Sequence, residues 1–174
     1  MDSSQTCIVI TCSHKRNKSM RFLAITCFLF SPYKLSAQDV KVLTDKEIVV
    51  GAKRMDKYLP LLQGKNVAVI ANVTSQINST HLVDTLLKLN VKIKKIFSPE
   101  HGFRGKADAG EKVGNQKDAK TGLPIISLYG KHKKPTKEDL AGIDIVIYDM
   151  QDVGVRFYTY ISTMTYCMEA CAEN

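Results

Sequence analysis

Four short apolar runs, separated by segments of helical periodicity, constrain the fold of this 174-residue chain more than any other feature of its sequence. They lie at Asn66–Val73, Val91–Ser98, Ile125–Gly130 and Ile143–Met150, and the first reads "NVAVIANV". A continuous apolar run of this kind is typical of a strand that is buried on both faces, as the strands of a parallel sheet are. The sequence therefore predicts four strands of a parallel sheet.

Apolar residues also recur at helical spacing between these runs. The pattern predicts helices over Thr44–Gly64, Thr80–Asn90 and Thr136–Ala141, and another from Arg156 through Ala172. Strands that alternate with helices form parallel sheets with helices on their faces. We therefore predict an α/β fold with a mostly parallel sheet.

The first 37 residues have the character of a leader. The segment Met20–Ala37, "MRFLAITCFLFSPYKLSA", has a basic start, an apolar run and a small residue at its end, which is the layout of a secretory signal peptide. Its apolar run is too short to span a membrane. We predict translation from Met20, cleavage near Ala37 and a periplasmic or secreted protein with no stable membrane span.

The net charge of the chain bears on the class of partner that it binds. The formal net charge of +8 falls to +4 without the leader, because five of the 25 basic and one of the 17 acidic residues lie in it. The remaining lysines form no recognition motif, so we predict no nucleic-acid partner.

Cys167 and Cys171 stand four residues apart in a predicted helix, which is a poor geometry for a disulfide. We therefore predict two buried thiols.

In parallel α/β sheets, functional residues collect beyond the carboxyl ends of the strands. One such loop here, "SPEHGFRGKADAGE", is rich in charge and in glycine. Pro99 stiffens the chain before Glu100, and the glycines let the loop turn closely around a ligand. Glu100 could be a catalytic acid or base, or it could cap a turn or pair with Arg104.

Asp149 and Asp152 lie at the end of the fourth apolar run. Acidic side chains from two strand ends can face each other across the sheet edge, and paired carboxylates suit glycosidic cleavage. Carboxylates such as Glu100, Asp149 and Asp152 also suit a divalent metal, and Asp149 could instead cap the following turn.

Arg156, Tyr158 and Tyr160 place a cation and two phenols near the same edge. Arginine often pairs with carboxylates and aromatic rings often stack on sugars, although either tyrosine could simply pack in the core.

The histidines and the glycine pattern carry less information. His81, His101 and His132 lack metal-ligand spacing. We expect a surface role for His81 in the first turn of its helix, and only His101, beside Glu100, near the site. The turn after the first apolar run, "ANVTSQINST", contains no glycine, which argues against a nucleotide-binding loop.

Three segments, "FSPEHGFRGKADAGEKV", "TGLPIISLYGKHKKPT" and "IDIVIYDMQDVGVRFYTYISTM", resemble the NamZ-type exo-β-N-acetylmuramidases in order and spacing. The likeness runs from about Val49 to the last residue. It implies a Rossmann-like three-layer domain that holds the active site, followed by a smaller C-terminal domain. It also implies a secreted or periplasmic glycosidase without a cofactor. Such enzymes release terminal N-acetylmuramic acid (MurNAc) from the non-reducing end of peptidoglycan fragments, so muropeptides or MurNAc-GlcNAc are the implied partners.

The resemblance also implies roles for individual residues, with no metal ligand among them. The implied catalytic carboxylates are Glu100, Glu111 and Asp152, with Glu100 the first choice, and the motif leaves open which is acid and which is nucleophile. The implied substrate-binding residues are Asn72, His101, Arg104, Arg156, Tyr158 and Tyr160. Either Arg104 or Arg156 could bind the lactyl carboxylate of MurNAc.

Two departures from the family pattern bear on function. Val73 stands where we expect a longer polar side chain, and family members run to roughly twice this length, in line with one further domain. We therefore expect residues 38–174 to be the N-terminal part of the glycosidase domain, truncated before the C-terminal domain and inactive alone. A non-catalytic muropeptide-binding remnant and a metal-dependent hydrolase are the alternatives.

Overall fold

The computed structural model describes residues 6–11, 49–105 and 116–174. The predicted signal peptide, the predicted helix start at Thr44 and the predicted catalytic residue Glu111 lie outside these ranges.

A six-stranded sheet forms the centre of the described part. The strands of the molecule are β1 (Thr6–Thr11), β2 (Val67–Ala71), β3 (Gln76–Ile77), β4 (Thr80–His81), β5 (Ile93–Ser98), β6 (Gln116–Lys117), β7 (Pro124–Ser127) and β8 (Ile145–Met150). The large sheet has the order β1-β8-β2-β5-β7-β6, and β3 and β4 form a separate hairpin. The four central strands are parallel, whereas β1 and β6 run antiparallel to their neighbours. The prediction of a mostly parallel sheet is confirmed.

Helices cover both faces of the sheet. They are α1 (Met55–Leu62), α2 (Leu82–Lys88), α3 (Lys137–Leu140) and α4 (Tyr160–Glu173). Side chains alternate along β2, so Val67, Val69 and Ala71 pack in a core with α1 and α2, while Ala68 and Ile70 pack with α3 and α4. Three layers result, as predicted.

The first helix is shorter than its pattern predicts. A 3-10 turn at Gly51–Lys53 precedes α1, and Arg54 separates the two with φ −83° and ψ 54°, outside the helical region. The hydroxyl of Tyr58 donates to the Ala52 carbonyl at 2.7 Å, which satisfies an acceptor at the break. Gly64 lies just beyond α1 with φ +70°, consistent with its predicted role as a helix stop.

The prediction for His81 is wrong. His81 precedes α2 as its N-cap and is buried, because the chain from Gln76 to His81 folds into the β3–β4 hairpin instead of extending the helix. Asn78 takes φ +57° in this hairpin, so asparagine occupies a position that glycine usually takes in such a turn.

The buried thiols are confirmed. Cys167 and Cys171 lie in the core between α4 and the sheet. Burial raises the pKa of Cys167 to about 12, so its thiol stays protonated at neutral pH. The helix that carries both begins at Tyr160, later than predicted, because the chain from Gln151 to Tyr158 forms a loop with Gly154 at φ +70°.

Candidate active site

The strand order reverses beside β2. The chain places β5 and β7 on one side of β2 and then returns to add β8 on the other side. The helices that follow β2 and β8 are α2 and α4, which lie on opposite faces of the sheet. In open α/β sheets, this divergence opens a crevice beyond the carboxyl ends of the strands. The candidate site therefore lies at the ends of β2, β5 and β8.

Asn72 is the hub of hydrogen bonds at the end of β2. Its buried Oδ1 accepts from the backbone N–H and the hydroxyl of Thr74, at 2.9 and 2.6 Å. Its carbonyl accepts from the backbone N–H of Ser75 and lies 2.9 Å from Nε2 of His81. Its side chain also hydrogen-bonds the phenol of Tyr160. In this structure Asn72 thus positions the surrounding elements, and its predicted contact with substrate stays a prediction.

Two further hydroxyls join the loops after β2 and β8. Thr74 Oγ1 accepts from the backbone N–H of Gln151 at 3.0 Å, and the hydroxyl of Ser75 donates to the carbonyl of Asp149. Sequence reasoning missed both residues, because serine and threonine in a polar turn carry no signal for their partners.

The two predicted tyrosines lie edge to face, with ring centroids 5.7 Å apart at 84°. Tyr160 is buried, and burial is the main cause that raises the pKa of its phenol, with the charges of Glu100 and Asp152 adding to it. Tyr160 is therefore within electrostatic range of both predicted carboxylates. Tyr158 is 44% exposed and can offer its ring to a ligand.

Glu100 projects from a tight turn after β5. The backbone N–H of Gly102 donates to the Pro99 carbonyl at 3.3 Å, and His101 has φ +71°, which is uncommon outside glycine and asparagine. Strained backbone of this kind clusters at functional sites. His101 itself is exposed beside the half-buried Glu100.

Among the described residues, Glu100 pairs with Tyr129, and not with Arg104. Ser98 of β5 is in register with Ser127 of β7, so the residues two positions further on meet across the strand ends. The hydrogen bond from Tyr129 to the Glu100 carboxylate, and the charge of that carboxylate, raise the pKa of Tyr129. Tyr129 therefore acts as a donor at neutral pH. It was not predicted, although its place at a strand end was a usable signal.

The two aspartates at the end of β8 differ in environment. Asp149 is fully buried in the last part of the strand. Asp152 is half-buried, and its Oδ1 accepts from the backbone N–H of Gly154 at 2.7 Å. Its Oδ2 is buried and has no hydrogen-bond partner in residues 49–105 and 116–174. Asp152 thus retains an acceptor atom that no described residue occupies.

Arg104 lies in a separate ionic cluster on the α2 side. Its Nε and Nη2 each donate to Asp118 at 2.8 Å, and its Nη2 and Nη1 donate to Asp84 of α2 at 2.9 and 3.3 Å. Lys120 Nζ donates to Asp84 at 2.6 Å, and Thr121 donates to Asp118 through its hydroxyl and its backbone N–H. Sequence reasoning missed Asp84, Asp118 and Lys120.

The pKa shifts in this cluster follow from its contacts. The hydrogen bond from Arg104 holds the pKa of Asp118 well below its usual range. Burial acts to raise the pKa of Asp84, but the hydrogen bonds from Arg104 and Lys120 outweigh it, and the pKa is lowered. The same bonds, to Asp118 first, raise the pKa of Arg104. The cluster stays fully ionised at neutral pH.

Two open cavities flank the chain from Val73 to Gln76. One, of about 340 Å³, is bordered by the ionic cluster, and the other, of about 480 Å³, reaches Gln151. Within the described ranges, no three His, Cys, Asp or Glu side chains are grouped so that they could hold a metal ion, so Glu100, Asp149 and Asp152 do not form such a group. In that same part of the chain, no helix has the length and apolar character needed to cross a membrane.

The structure thus brings Asn72, Glu100, Asp152, Tyr158 and Tyr160 to one sheet edge. It leaves His101 and Arg156 exposed beside them and engages Arg104 elsewhere.

A family model described as "Exo-beta-N-acetylmuramidase NamZ, N-terminal" matches residues 67–174, which include every one of these site residues. The chain belongs to this family. The resemblance seen in the three sequence segments is therefore confirmed.

The chain is similar to a curated relative and to two solved structures. The chain is 50% identical over 121 residues to the peptidoglycan β-N-acetylmuramidase NamZ of Bacillus subtilis. This match covers 67% of this chain and 29% of the relative. Two crystal structures of DUF1343 family proteins from Bacteroides fragilis share its fold. They are 44% and 45% identical, with TM-scores of 0.60 and 0.61, and the matches cover 71% and 68% of this chain and 31% and 30% of theirs. The chain thus spans less than a third of the length of these relatives.

Proposed function

We propose that this chain provides the N-terminal part of an exo-β-N-acetylmuramidase, which removes terminal MurNAc from the non-reducing end of peptidoglycan fragments. The observation that carries the proposal is the grouping of Glu100, Asp152 and Tyr160 at the switch point of a NamZ-family sheet. The relative from Bacillus subtilis is named a peptidoglycan β-N-acetylmuramidase, which supports the substrate class.

Glu100 is the proposed catalytic carboxylate. It stands on a stiff turn, half-buried, with the Tyr129 hydroxyl as a hydrogen-bond donor. Asp152 supplies the second carboxylate of the described site: its Oδ1 accepts from Gly154, and its Oδ2 has no partner among the described residues. Glycosidases use such a pair to protonate the leaving oxygen and to activate water or attack the sugar. Glu111 is a further proposed catalytic residue, outside the described ranges.

The protein is proposed to act in the periplasm or outside the cell, after removal of the leader. The peptidoglycan substrate of the Bacillus subtilis relative and the layout of residues 20–37 support this location. We expect the 174-residue chain alone to lack turnover, since it spans only 29% of that relative.

The test is hydrolysis of 4-nitrophenyl β-N-acetylmuraminide by the chain and by an extended form, in which the protein continues at its C-terminus to the length of its relatives. We expect activity in the extended form, unaffected by EDTA and reduced by roughly 10²–10⁴-fold in Glu100→Gln, the range for loss of an acid–base group.

Glu138→Gln is the matched control, because Glu138 is an exposed carboxylate on α3, and it should retain the parent rate. An extended form without activity, or one as active after Glu100→Gln as before, would refute the proposal. Activity that EDTA abolishes would point to a metal-dependent hydrolase.

A further inference from the structure

We propose that Arg156, and not Arg104, selects MurNAc by binding its lactyl carboxylate. This inference rests on the proposed function, because MurNAc differs from N-acetylglucosamine (GlcNAc) only in the lactyl ether and its carboxylate. A site that distinguishes the two sugars needs a cation with hydrogen-bond donors to spare. Arginine suits this task, since its planar fork can bind both oxygens of a carboxylate.

Arg104 has few hydrogen-bond donors available for such a ligand. Four hydrogen bonds to Asp84 and Asp118 occupy four of its five N–H donors. The two carboxylates and the cations Arg104 and Lys120 balance in charge. A third carboxylate brought to Arg104 would be repelled by Asp84 and Asp118, both of which are almost fully buried.

The contacts of Arg104 indicate a structural role instead. Asp118 lies 14 residues after Arg104, and Asp84 lies 20 residues before it on α2. The guanidinium therefore joins the chain on both sides of residues 106–115 to the same helix. Phe103, buried next to it, carries the guanidinium over its ring at 4.8 Å and packs in the core with α2.

The contacts of Arg156 differ from those of Arg104. It is exposed in the loop between β8 and α4, and it makes no hydrogen bond or ion pair with the residues that the structure describes. The same loop carries Asp152 at its start and leads to Tyr158 and Tyr160, so it borders the grouped carboxylates. Among the residues that the structure describes, no partner occupies the Arg156 guanidinium, and its loop lies beside the switch point.

The side chains around Arg156 favour contact with a ligand. Its neighbours Val155 and Phe157 are exposed, and Phe157 has 87% of its surface open. A sugar that covers these apolar groups would exclude water from the guanidinium, and a carboxylate bound there would interact more strongly than in solvent.

Other cations near the strand ends fit the task less well. Lys134 is paired with Glu169 and Glu173. Lys131 is exposed after β7, but an ammonium group offers a point charge and not a two-pronged match to a carboxylate. Lys131 is therefore the matched control for loss of one positive charge at the same sheet edge.

The experiment measures the affinities of the extended form for free MurNAc and free GlcNAc by NMR titration, together with KM and kcat on 4-nitrophenyl β-N-acetylmuraminide. Arg156→Gln should raise the MurNAc Kd and KM by roughly 10–100-fold, the range for a hydrogen-bonded charge. It should change the GlcNAc Kd by less than about 3-fold, and Arg156→Lys should fall between the parent and Arg156→Gln.

Two controls separate charge from structure. Lys131→Gln should keep the parent ratio of MurNAc to GlcNAc affinity. Arg104→Gln should lower the thermal unfolding midpoint and keep that ratio, because Arg104 stabilises the fold and does not read the lactyl group.

Each outcome decides between the alternatives. A parent ratio retained in Arg156→Gln overturns the inference, as does loss of the ratio in Lys131→Gln or in Arg104→Gln that still folds. The affinities do not depend on turnover, so a parent protein that prefers MurNAc without cleaving it would refute the proposed function alone. A parent protein without that preference would overturn the inference itself.

Discussion

At the residue scale, His81 couples the candidate site to the start of α2. Its Nε2 donates to the carbonyl of Asn72 at 2.9 Å, and its Nδ1 accepts from the backbone N–H of Val83 at 3.3 Å. Both bonds require the neutral ring with its proton on Nε2. The ring also meets Phe103 edge to face at 4.5 Å.

The environment of His81 favours this neutral form. Burial is the largest effect and lowers the pKa of the ring, opposed by its bond to the Asn72 carbonyl. The charge of Arg104 lowers the pKa further, whereas Asp84 and Asp118 raise it, and the net direction is down. Protonation of Nδ1 would also remove the acceptor for Val83 and so uncap the helix.

We therefore predict that folding stability falls on acidification from pH 7 to pH 5. The unfolded chain takes up a proton near pH 6.5, while folded His81 resists it, so stability is lost as pH drops below about 6.5. The loss should approach but not exceed about 1.4 kcal/mol per pH unit for one group. Urea unfolding at pH 7, 6 and 5 measures it.

His81→Gln should flatten this dependence, since glutamine does not titrate in the range. His101→Gln is the control, because His101 is exposed, and it should keep the slope of the parent. An unchanged slope in His81→Gln would show that another group is responsible.

At the scale of elements, the loop after β5 is shaped by backbone that side chains rarely adopt. His101, Gly102 and Gly105 all have positive φ, between +68° and +76°. At Gly105, a Cβ atom would also lie 3.1 Å from Cβ and Cγ2 of Val73 in the loop after β2. The two loops of the candidate site therefore come so close that a side chain at position 105 would crowd Val73.

Gly105→Ala should destabilise the fold more than Gly122→Ala does. Gly122 has a similar φ of +72° but open space at its Cβ, so its variant reports the backbone term alone, about 1–2 kcal/mol. The crowding against Val73 should add about 1–3 kcal/mol at Gly105. Urea unfolding of both variants at pH 7 gives the difference.

The double variant Gly105→Ala with Val73→Ala should recover part of the added free-energy loss, because alanine removes the crowding atom Cγ2 but keeps Cβ. If Gly105→Ala and Gly122→Ala lower the free energy of unfolding equally, the two loops move apart at no cost in free energy, and the predicted crowding is absent.

Sequence patterns predicted the lengths of the helices least well. The apolar periodicity continues through Arg54 and begins again at Arg156. In the structure, Arg54 interrupts the first predicted helix, and α4 begins only at Tyr160. Periodicity marks the face that a helix would bury, but the break at Arg54 depends on a local backbone conformation that the pattern does not contain.

At the scale of the whole molecule, one edge of the sheet depends on the N-terminus. β1 pairs antiparallel with all of β8, from Thr6 opposite Met150 to Thr11 opposite Ile145. These residues precede Met20, within the region that we predict to be removed as a leader. Without β1, the backbone of β8 would present unpaired N–H and C=O groups for another strand.

We predict that the exported protein begins near Gln38. Intact-mass spectrometry of the protein recovered from the periplasm or the medium measures this, with the cytoplasmic precursor as the control. A mature protein that keeps Thr6–Thr11 would contradict the leader and would leave β1 as a permanent edge strand.

The sequence by itself determined the type and order of the central elements and the edge of the sheet that carries the candidate site. Apolar runs and helical spacing are local properties, and parallel strands place all their carboxyl ends together. The positions of Glu100, Asp152 and Tyr160 along the chain are therefore enough to predict that they are neighbours, and the fold groups them.

Only the tertiary structure decided which charged groups are already paired. Arg104 and Arg156 look alike in the sequence, each in a polar loop near a carboxylate. The fold brings Asp84 and Asp118 to Arg104 from 20 residues before it and 14 residues after it, and brings no described partner to Arg156. An ion pair forms where separate elements pack together, and no local pattern records which elements those are.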